Sequence, residues 1–174
     1  MNAWFRSSAT LFCGFAVAGA AAAPRNVEAF DAATWPALQA ALEQPAVVVF
    51  STTDCVHCPA VIEQLVRDIR KRKLKATSIA VVMDVAPGES DSTLLRNAEY
   101  RKTDRLFAFV GQAPPLRYAI DPRWRGVTPY VVFLAPNVPA VRVTGPPSRE
   151  DFDNWARTAA LSRPGAVRAS GPSR

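Results

Sequence analysis

STTDCVHCPA, residues 51–60, places two of the three cysteines of the chain, Cys55 and Cys58, three positions apart with its only histidine, His57, between them. Four uses of such a pair are physically open: a zinc site, covalent haem attachment, an inert staple, and electron exchange. Upstream, AVVVFS (46–51) is a continuous apolar and β-branched run, the pattern of a strand buried on both faces of a parallel sheet. Downstream, AVIEQLVRDIRKRK (60–73) sets Val61, Leu65 and Ile69 at four-residue spacing on one helix face. Arg67, Arg70, Lys71, Arg72 and Lys73 gather at its end, where cations suit the helix dipole. That cluster reads first as a solvated helix end and only second as a binding patch. The cysteines thus fall where a buried strand gives way to a helix.

The opening residues change the cysteine count. MNAWFRSSATLFCGFAVAGAAAAPRN (1–26) has one cation at Arg6, an apolar run over about residues 9–17 and an Ala-rich stretch to Ala23. This is the layout of a secretory signal peptide over 1–23, with an uncleaved anchor as the alternative. The run is short for a spanning helix, which needs about 20 apolar residues. Lipid attachment at Cys13 is disfavoured by bulky Phe12 before it. With Cys13 removed, the mature chain keeps only Cys55 and Cys58, in a periplasmic or secreted setting that is oxidising.

The rest of the chain alternates. VEAF (27–30) suits a short strand, and TWPALQAALEQ (34–44) a helix with Thr34 as cap and Pro36 in its first turn. TSIAVVMDV (77–85) is a second buried strand. TLLRNAEYRKTDRLFAFV (93–110) reads as helical, and the paired prolines of GQAPPLRYAIDP (111–122) break it. TPYVVFL (128–134) and AVRVTG (140–145) are further strands. SREDFDNWARTA (148–159) closes the domain as a helix, with Ser148 as cap and Asp151 where a capping box favours Glu or Gln. Residues 162–174 have little to bury and read as a disordered tail. The expectation is one α/β domain over 24–161 with a mixed central sheet flanked by helices and an extended helical segment before the TP strand. At 174 residues the chain can bury a core without staples, and its +6 net charge, with 21 cations scattered among 15 acids, is weak evidence for a nucleic-acid partner; none is expected.

The four uses can now be weighed. Zinc needs four ligands, and the mature chain offers two thiols with a histidine badly placed between them. Haem attachment needs C-x-x-C-H, and Pro59 stands where the histidine belongs. A staple closing a loop of about four residues removes little entropy from the unfolded chain. Electron exchange fits best, because a thiol at a helix N-terminus is favoured as thiolate by free N–H groups and the positive dipole end. Cys55, the more exposed, is then the nucleophile and Cys58 the resolving thiol. His57 adds positive charge when protonated, unless it is simply an exposed helix-start residue.

With CVHC after VVVF and a distant TP before a strand, the chain from about Val27 to Ala160 resembles thioredoxin-fold thiol-disulfide oxidoreductases, including exported members. The resemblance implies a cis Thr128–Pro129 bond facing the cysteines, with the Thr128 backbone pairing to an extended substrate segment and Pro129 keeping metal ions away from the thiols. It implies no cofactor beyond the redox disulfide, partners that are protein disulfides or dithiols, an upstream redox partner such as a membrane electron carrier, and a monomer. The chain departs from the family at Asp54, where a tryptophan is usual, and at Val49, in the stretch where a buried acid is expected. Pro59 after Cys58 should disturb the helical bond to the Cys55 carbonyl, and residues 86–126 form a longer segment than in plain thioredoxin.

A histidine before the second cysteine resembles oxidants and isomerases. Yet lowering a thiol pKa by about 1.5 is worth roughly 2 kcal/mol, or only about 40 mV of the roughly 150 mV between thioredoxin and the strongest oxidants. The lean is to an exported reductase. A copper-handling protein would want wider cysteine spacing and a second histidine. A non-catalytic binding module on the same fold would leave the cysteines dispensable.

Overall fold

The computed structural model describes residues 23–88 and 90–161. The signal peptide or anchor expected over 1–23, all but its last residue, and the tail expected over 162–174 lie outside the described residues. Six strands form one sheet: β1 (Val27–Phe30), β2 (Ala46–Ser51), β3 (Thr77–Val82), β4 (Arg105–Phe109), β5 (Tyr130–Ala135) and β6 (Val138–Thr144). Five helices accompany them: α1 (Thr34–Ala40), α2 (Cys58–Lys71), α3 (Asp91–Arg96), α4 (Ala113–Ile120) and α5 (Arg149–Leu161), with a 3-10 turn at Tyr100–Lys102. The strand order is β1-β4-β3-β2-β5-β6. The first four strands of that order run parallel, and β5 and β6 are antiparallel additions beside β2. This mixed sheet with helices on both faces is the thioredoxin-like architecture.

Strand alternation explains why β2 has no polar face until its end. Val47 and Val49 point into a core shared with Val61, Ile62 and Leu65 of α2 and Phe152 and Trp155 of α5. Ala46, Val48 and Phe50 point the other way, onto Trp35 of α1, Leu116 and Ile120 of α4, and Trp124. Successive side chains alternate faces, so a strand covered on both sides must be apolar throughout. Each fully buried valine there is worth roughly 1.5–3 kcal/mol.

The segment before the TP strand differs from one long helix. It folds as α3, the 3-10 turn, strand β4 and α4. β4 lies between β1 and β3, with Leu106 and Ala108 facing the α2 core and Phe107 and Phe109 the opposite one. An apolar run this short fits a buried strand or a helix equally well by periodicity, and the charged RKTD ahead of it disguised the boundary. Pro114 and Pro115 do not break a helix; they open α4, in a first turn whose N–H groups have no intrahelical partner anyway.

Two end signals also moved. α1 stops at Ala40, and Thr34 is its first residue rather than its cap. The Asp31 carboxylate accepts the N–H groups of Ala33 and Thr34 instead, at 3.0 and 2.9 Å. Ahead of α5 the capping box does close with aspartate. Ser148 donates N–H and O–H to the Asp151 carboxylate, and the Asp151 N–H returns to Ser148 Oγ at 3.1 Å. Those Ser148 bonds hold the Asp151 carboxyl below the usual carboxylate range. Among the described residues no helix is long and apolar enough to cross a membrane.

Candidate active site

Ser51 ends β2 at the edge of the sheet, and the chain turns there before α2. The Cys55 N–H donates to the Thr52 carbonyl at 3.2 Å, and the Cys58 N–H to the Cys55 carbonyl at 3.3 Å. Cys55 and Cys58 are joined as a disulfide with their Cα atoms 5.5 Å apart. α2 begins at Cys58, with His57 at its N-cap, so Cys55 stands three residues ahead of the helix rather than within it. Pro59 falls in the first turn of α2. No helical bond is lost there: the Cys55 carbonyl that Pro59 cannot reach is taken by Cys58.

The two cysteines differ in exposure. Cys58 is fully buried (0 % exposed), whereas Cys55 is part-exposed. His57 is exposed and its side chain makes no capping hydrogen bond. Val56 beside it is 81 % exposed, an apolar side chain presented to solvent next to the disulfide.

Sheet register brings the distant TP pair to this place. β2 and β5 pair Phe50 with Tyr130, and continuing that antiparallel register sets Thr128 opposite Thr52. Their hydroxyl oxygens lie 3.4 Å apart. The Thr128–Pro129 peptide is cis; the pair precedes β5 rather than opening it, and the buried Pro129 accepts the Gly145 N–H at 2.8 Å. Thr128 therefore meets the cysteine turn through Thr52, whose carbonyl receives Cys55.

Four supports of the turn carry no motif. The Ser51 hydroxyl, fully buried, donates to the Thr52 carbonyl at 3.2 Å and lies 3.3 Å from the Tyr100 hydroxyl. Burial pushes the Tyr100 hydroxyl well above the ordinary tyrosine range, against the Ser51 hydrogen bond that draws it down; the nearby Glu99 and Asp84 carboxylates add to the rise. Burial likewise raises the Glu99 carboxyl, opposed by its hydrogen bond to Tyr100 and by the Lys102 charge. From the end of β3, the Asp84 carboxylate accepts the Thr53 N–H at 3.0 and 2.9 Å and the Thr53 hydroxyl. Asp84 could have been anticipated, since parallel neighbours end at one edge and VVMD closes such a strand. Nothing local in AEYRK marks Tyr100.

The loop into Thr128 has its own anchor. Trp124 stacks on Tyr130 with ring centroids 4.3 Å apart and planes 13° from parallel, and its Nε1–H donates to the Val127 carbonyl at 2.9 Å. The Tyr130 hydroxyl donates to the Asp121 carboxylate at 2.7 Å, and the Arg123 N–H to the same group at 2.9 Å. The Arg123 N–H and then Tyr130 hold the Asp121 carboxyl below its usual range. Val127, in this loop, is 55 % exposed. Among the described residues no group of three or more His, Cys, Asp or Glu is placed to hold a metal ion.

Fold and site together define a thioredoxin-like domain with a CxxC disulfide between a buried strand and its following helix. Solved structures of similar shape include a secreted Mycobacterium tuberculosis disulfide oxidoreductase described as homologous to E. coli DsbE, at 17% identity, covering 71% of this chain and 85% of that one with a TM-score of 0.45. A putative thioredoxin from Neisseria meningitidis is 14% identical over 74% of this chain and 84% of that one, TM-score 0.49. A thiol:disulfide interchange protein of the thioredoxin family from Chlorobium tepidum is 20% identical over 71% and 83%, TM-score 0.43. No family model and no curated protein matches the chain.

Proposed function

We propose that the chain is an exported thiol:disulfide oxidoreductase that exchanges electrons with protein disulfides through Cys55 and Cys58, working as a reductant. The observation that carries this reading is the unequal exposure of the two bonded cysteines, Cys58 fully buried and Cys55 part-exposed. A staple needs no such asymmetry; a nucleophile and its resolving partner do. In the reduced protein the Cys55 thiolate attacks a client disulfide, forming a mixed disulfide and releasing one client sulfur as thiolate. The Cys58 thiolate then attacks Cys55 Sγ, the second client sulfur leaves, and two electrons have passed to the client as the Cys55–Cys58 bond forms.

The Thr128–Pro129 turn, joined to the cysteine turn through the Thr52–Thr128 contact, is where an extended client segment pairs with the Thr128 backbone, with exposed Val56 and Val127 as apolar neighbours. The reductant direction is supported by local charge. Asp54 adjoins Cys55, and Asp84 is tied to Thr53, two residues from Cys55. Negative charge near the pair disfavours a thiolate, which favours the disulfide form and lowers the potential. Asp54, Asp84 and His57 are all exposed, so solvent screens each of them and the charge effect on the pair is small. Export rests on residues 1–23 as a signal peptide or an uncleaved anchor. Reduced protein supplied with dithiothreitol should accelerate insulin-disulfide reduction, and Cys55→Ser should bring the rate to that of dithiothreitol alone. Equal rates for the two proteins would overturn the assignment, and a reduction potential near that of strong oxidants would reverse its direction.

A further inference from the structure

The disulfide and the basic cluster occupy opposite ends of one helix. α2 runs 14 residues from Cys58 to Lys71, about 20 Å at 1.5 Å per residue. Arg70, Lys71, Arg72, Lys73 and Lys75, all exposed, lie at or just past its far end. Strands β1 to β4 run parallel, so Val27, Ala46, Thr77 and Arg105 all start from that same edge of the sheet. Arg101 and Lys102, in the turn before β4, join it, and the Arg70 guanidinium donates to the Lys102 carbonyl at 3.4 Å.

The acids in this region are mostly engaged. Glu63 pairs with Lys102 at 2.7 Å and with Arg67 at 3.6 Å, Asp153 pairs with Arg72, and Glu28 pairs with Arg105. The Asp104 carboxylate receives the N–H and hydroxyl of Ser78, each at 2.7 Å. Among the described residues Arg70, Lys71, Lys73, Lys75 and Arg101 have no ion pair, and Asp68, Glu43, Glu99 and Asp104 are the acids nearby without one. Two adjoining hollows share Val66 and Arg70 as walls; Lys73 and Lys75 border one, Lys71 and Lys102 the other. Asp104 lines the first and Glu63 the second, and in each the cations outnumber the acid, so the concave surface is net positive.

The same edge receives the start of the chain. Ala23 leads directly into β1 at Val27, and the 22 residues before it hold the apolar run and most of the Ala-rich stretch. Kept as the uncleaved anchor, that segment reaches the domain at the basic end. We propose that this end is a docking surface for anionic phospholipid headgroups, which holds the Cys55–Cys58 face away from the bilayer. A short apolar segment or a basic patch alone anchors weakly, and the two together anchor well. A cluster of four to eight Lys and Arg beside such a segment has the composition that anionic lipid attracts. An acidic protein would satisfy the charge but not the apolar segment arriving beside it. The inference stands whether or not the disulfide turns over.

The test uses the full chain and co-sedimentation with vesicles of phosphatidylcholine alone or with roughly 30% phosphatidylglycerol. The wild type should partition at least about tenfold more strongly onto the anionic vesicles, and about 0.5 M salt should abolish that preference. Lys71→Gln with Lys73→Asn and Lys75→Gln should remove the preference; asparagine is chosen because Lys73 has a φ of 53°, which asparagine tolerates. Reduced Cys55 on vesicles should alkylate as fast as in solution. Equal partition onto both vesicles, a preference that survives the triple substitution, or protection of Cys55 on the membrane would each overturn the proposal. So would competition by inorganic phosphate beyond that of chloride at matched ionic strength, which would mean a discrete phosphate site instead of a surface.

Discussion

The Tyr100 hydroxyl lies 3.3 Å from Ser51 Oγ, and neither residue has any exposed surface. Ser51 in turn donates to the Thr52 carbonyl that also receives the Cys55 N–H, so a buried side chain from the 3-10 turn reaches the backbone of the disulfide turn in three steps. Tyr100→Phe removes the hydroxyl alone and should cost about 1 kcal/mol, a fall in Tm of about 3–4 °C for a domain of this size. Tyr100 also sets an alkaline limit. Its folded pKa is raised by burial above the ordinary value of 10.0, so its contribution is complete below about pH 10 and is lost as pH rises above it. Chemical denaturation at stepped pH should show a steeper alkaline decline for wild type than for Tyr100→Phe, and parallel curves would contradict this.

Asp84 governs the same turn from the other side. Its carboxylate binds both the N–H and the hydroxyl of Thr53, and Asp84→Asn removes a negative charge while keeping an acceptor. With less negative charge beside the pair, the reduced thiolate form gains, and the potential should rise by on the order of 10–20 mV, since 30 mV corresponds to about 1.4 kcal/mol. Equilibration of wild type and variant with glutathione buffers measures the difference. An unchanged or lowered potential would remove the charge argument for the reductant direction.

The burial difference between the cysteines predicts ordered chemistry. After reduction, iodoacetamide should label Cys55 readily and Cys58 only upon unfolding, with peptide mass spectrometry giving the site. In Cys58→Ser, the mixed disulfide with a client has no internal thiol to resolve it, so client conjugates should accumulate on Cys55 and vanish with reductant. Labelling of Cys58 in the native protein would reverse the roles of the two sulfurs.

How much of this was legible depended on whether a feature is local. β2 announces itself because both its faces are covered, and α2 because only one of its faces is. The capping box of Ser148 and Asp151 spans three residues and was readable on that account. β4 was missed because a strand in the middle of a sheet and a buried helix segment share one composition when the run is only five residues long. Cys55, Cys58 and His57 sit in one decapeptide, while Thr128 joins them through sheet register. Ser51, Asp84, Tyr100 and Asp121 act through contacts that span 9 to 49 positions in sequence, and no short motif encodes such pairings.

Asp121 shows how one of those contacts shapes the site at a distance. It is 7 % exposed, and its carboxylate receives the Tyr130 hydroxyl at 2.7 Å and the Arg123 N–H at 2.9 Å. Tyr130 is therefore fixed as the platform for Trp124, whose indole holds the Val127 carbonyl one residue before Thr128. Asp121→Ala leaves the Tyr130 hydroxyl without its acceptor and should destabilise the domain by about 2–4 kcal/mol. Because its folded pKa is lowered by Arg123 and Tyr130, the stability it gives is present above the ordinary carboxylate value of about 3.9 and is lost as pH falls below that. Wild type should therefore lose more stability than Asp121→Ala in acid. If the loop is the client surface, Tyr130→Phe should raise KM for insulin more than it lowers kcat, because the cysteines are untouched while the approach to Thr128 is loosened. A loss confined to kcat would place the effect on the disulfide turn instead.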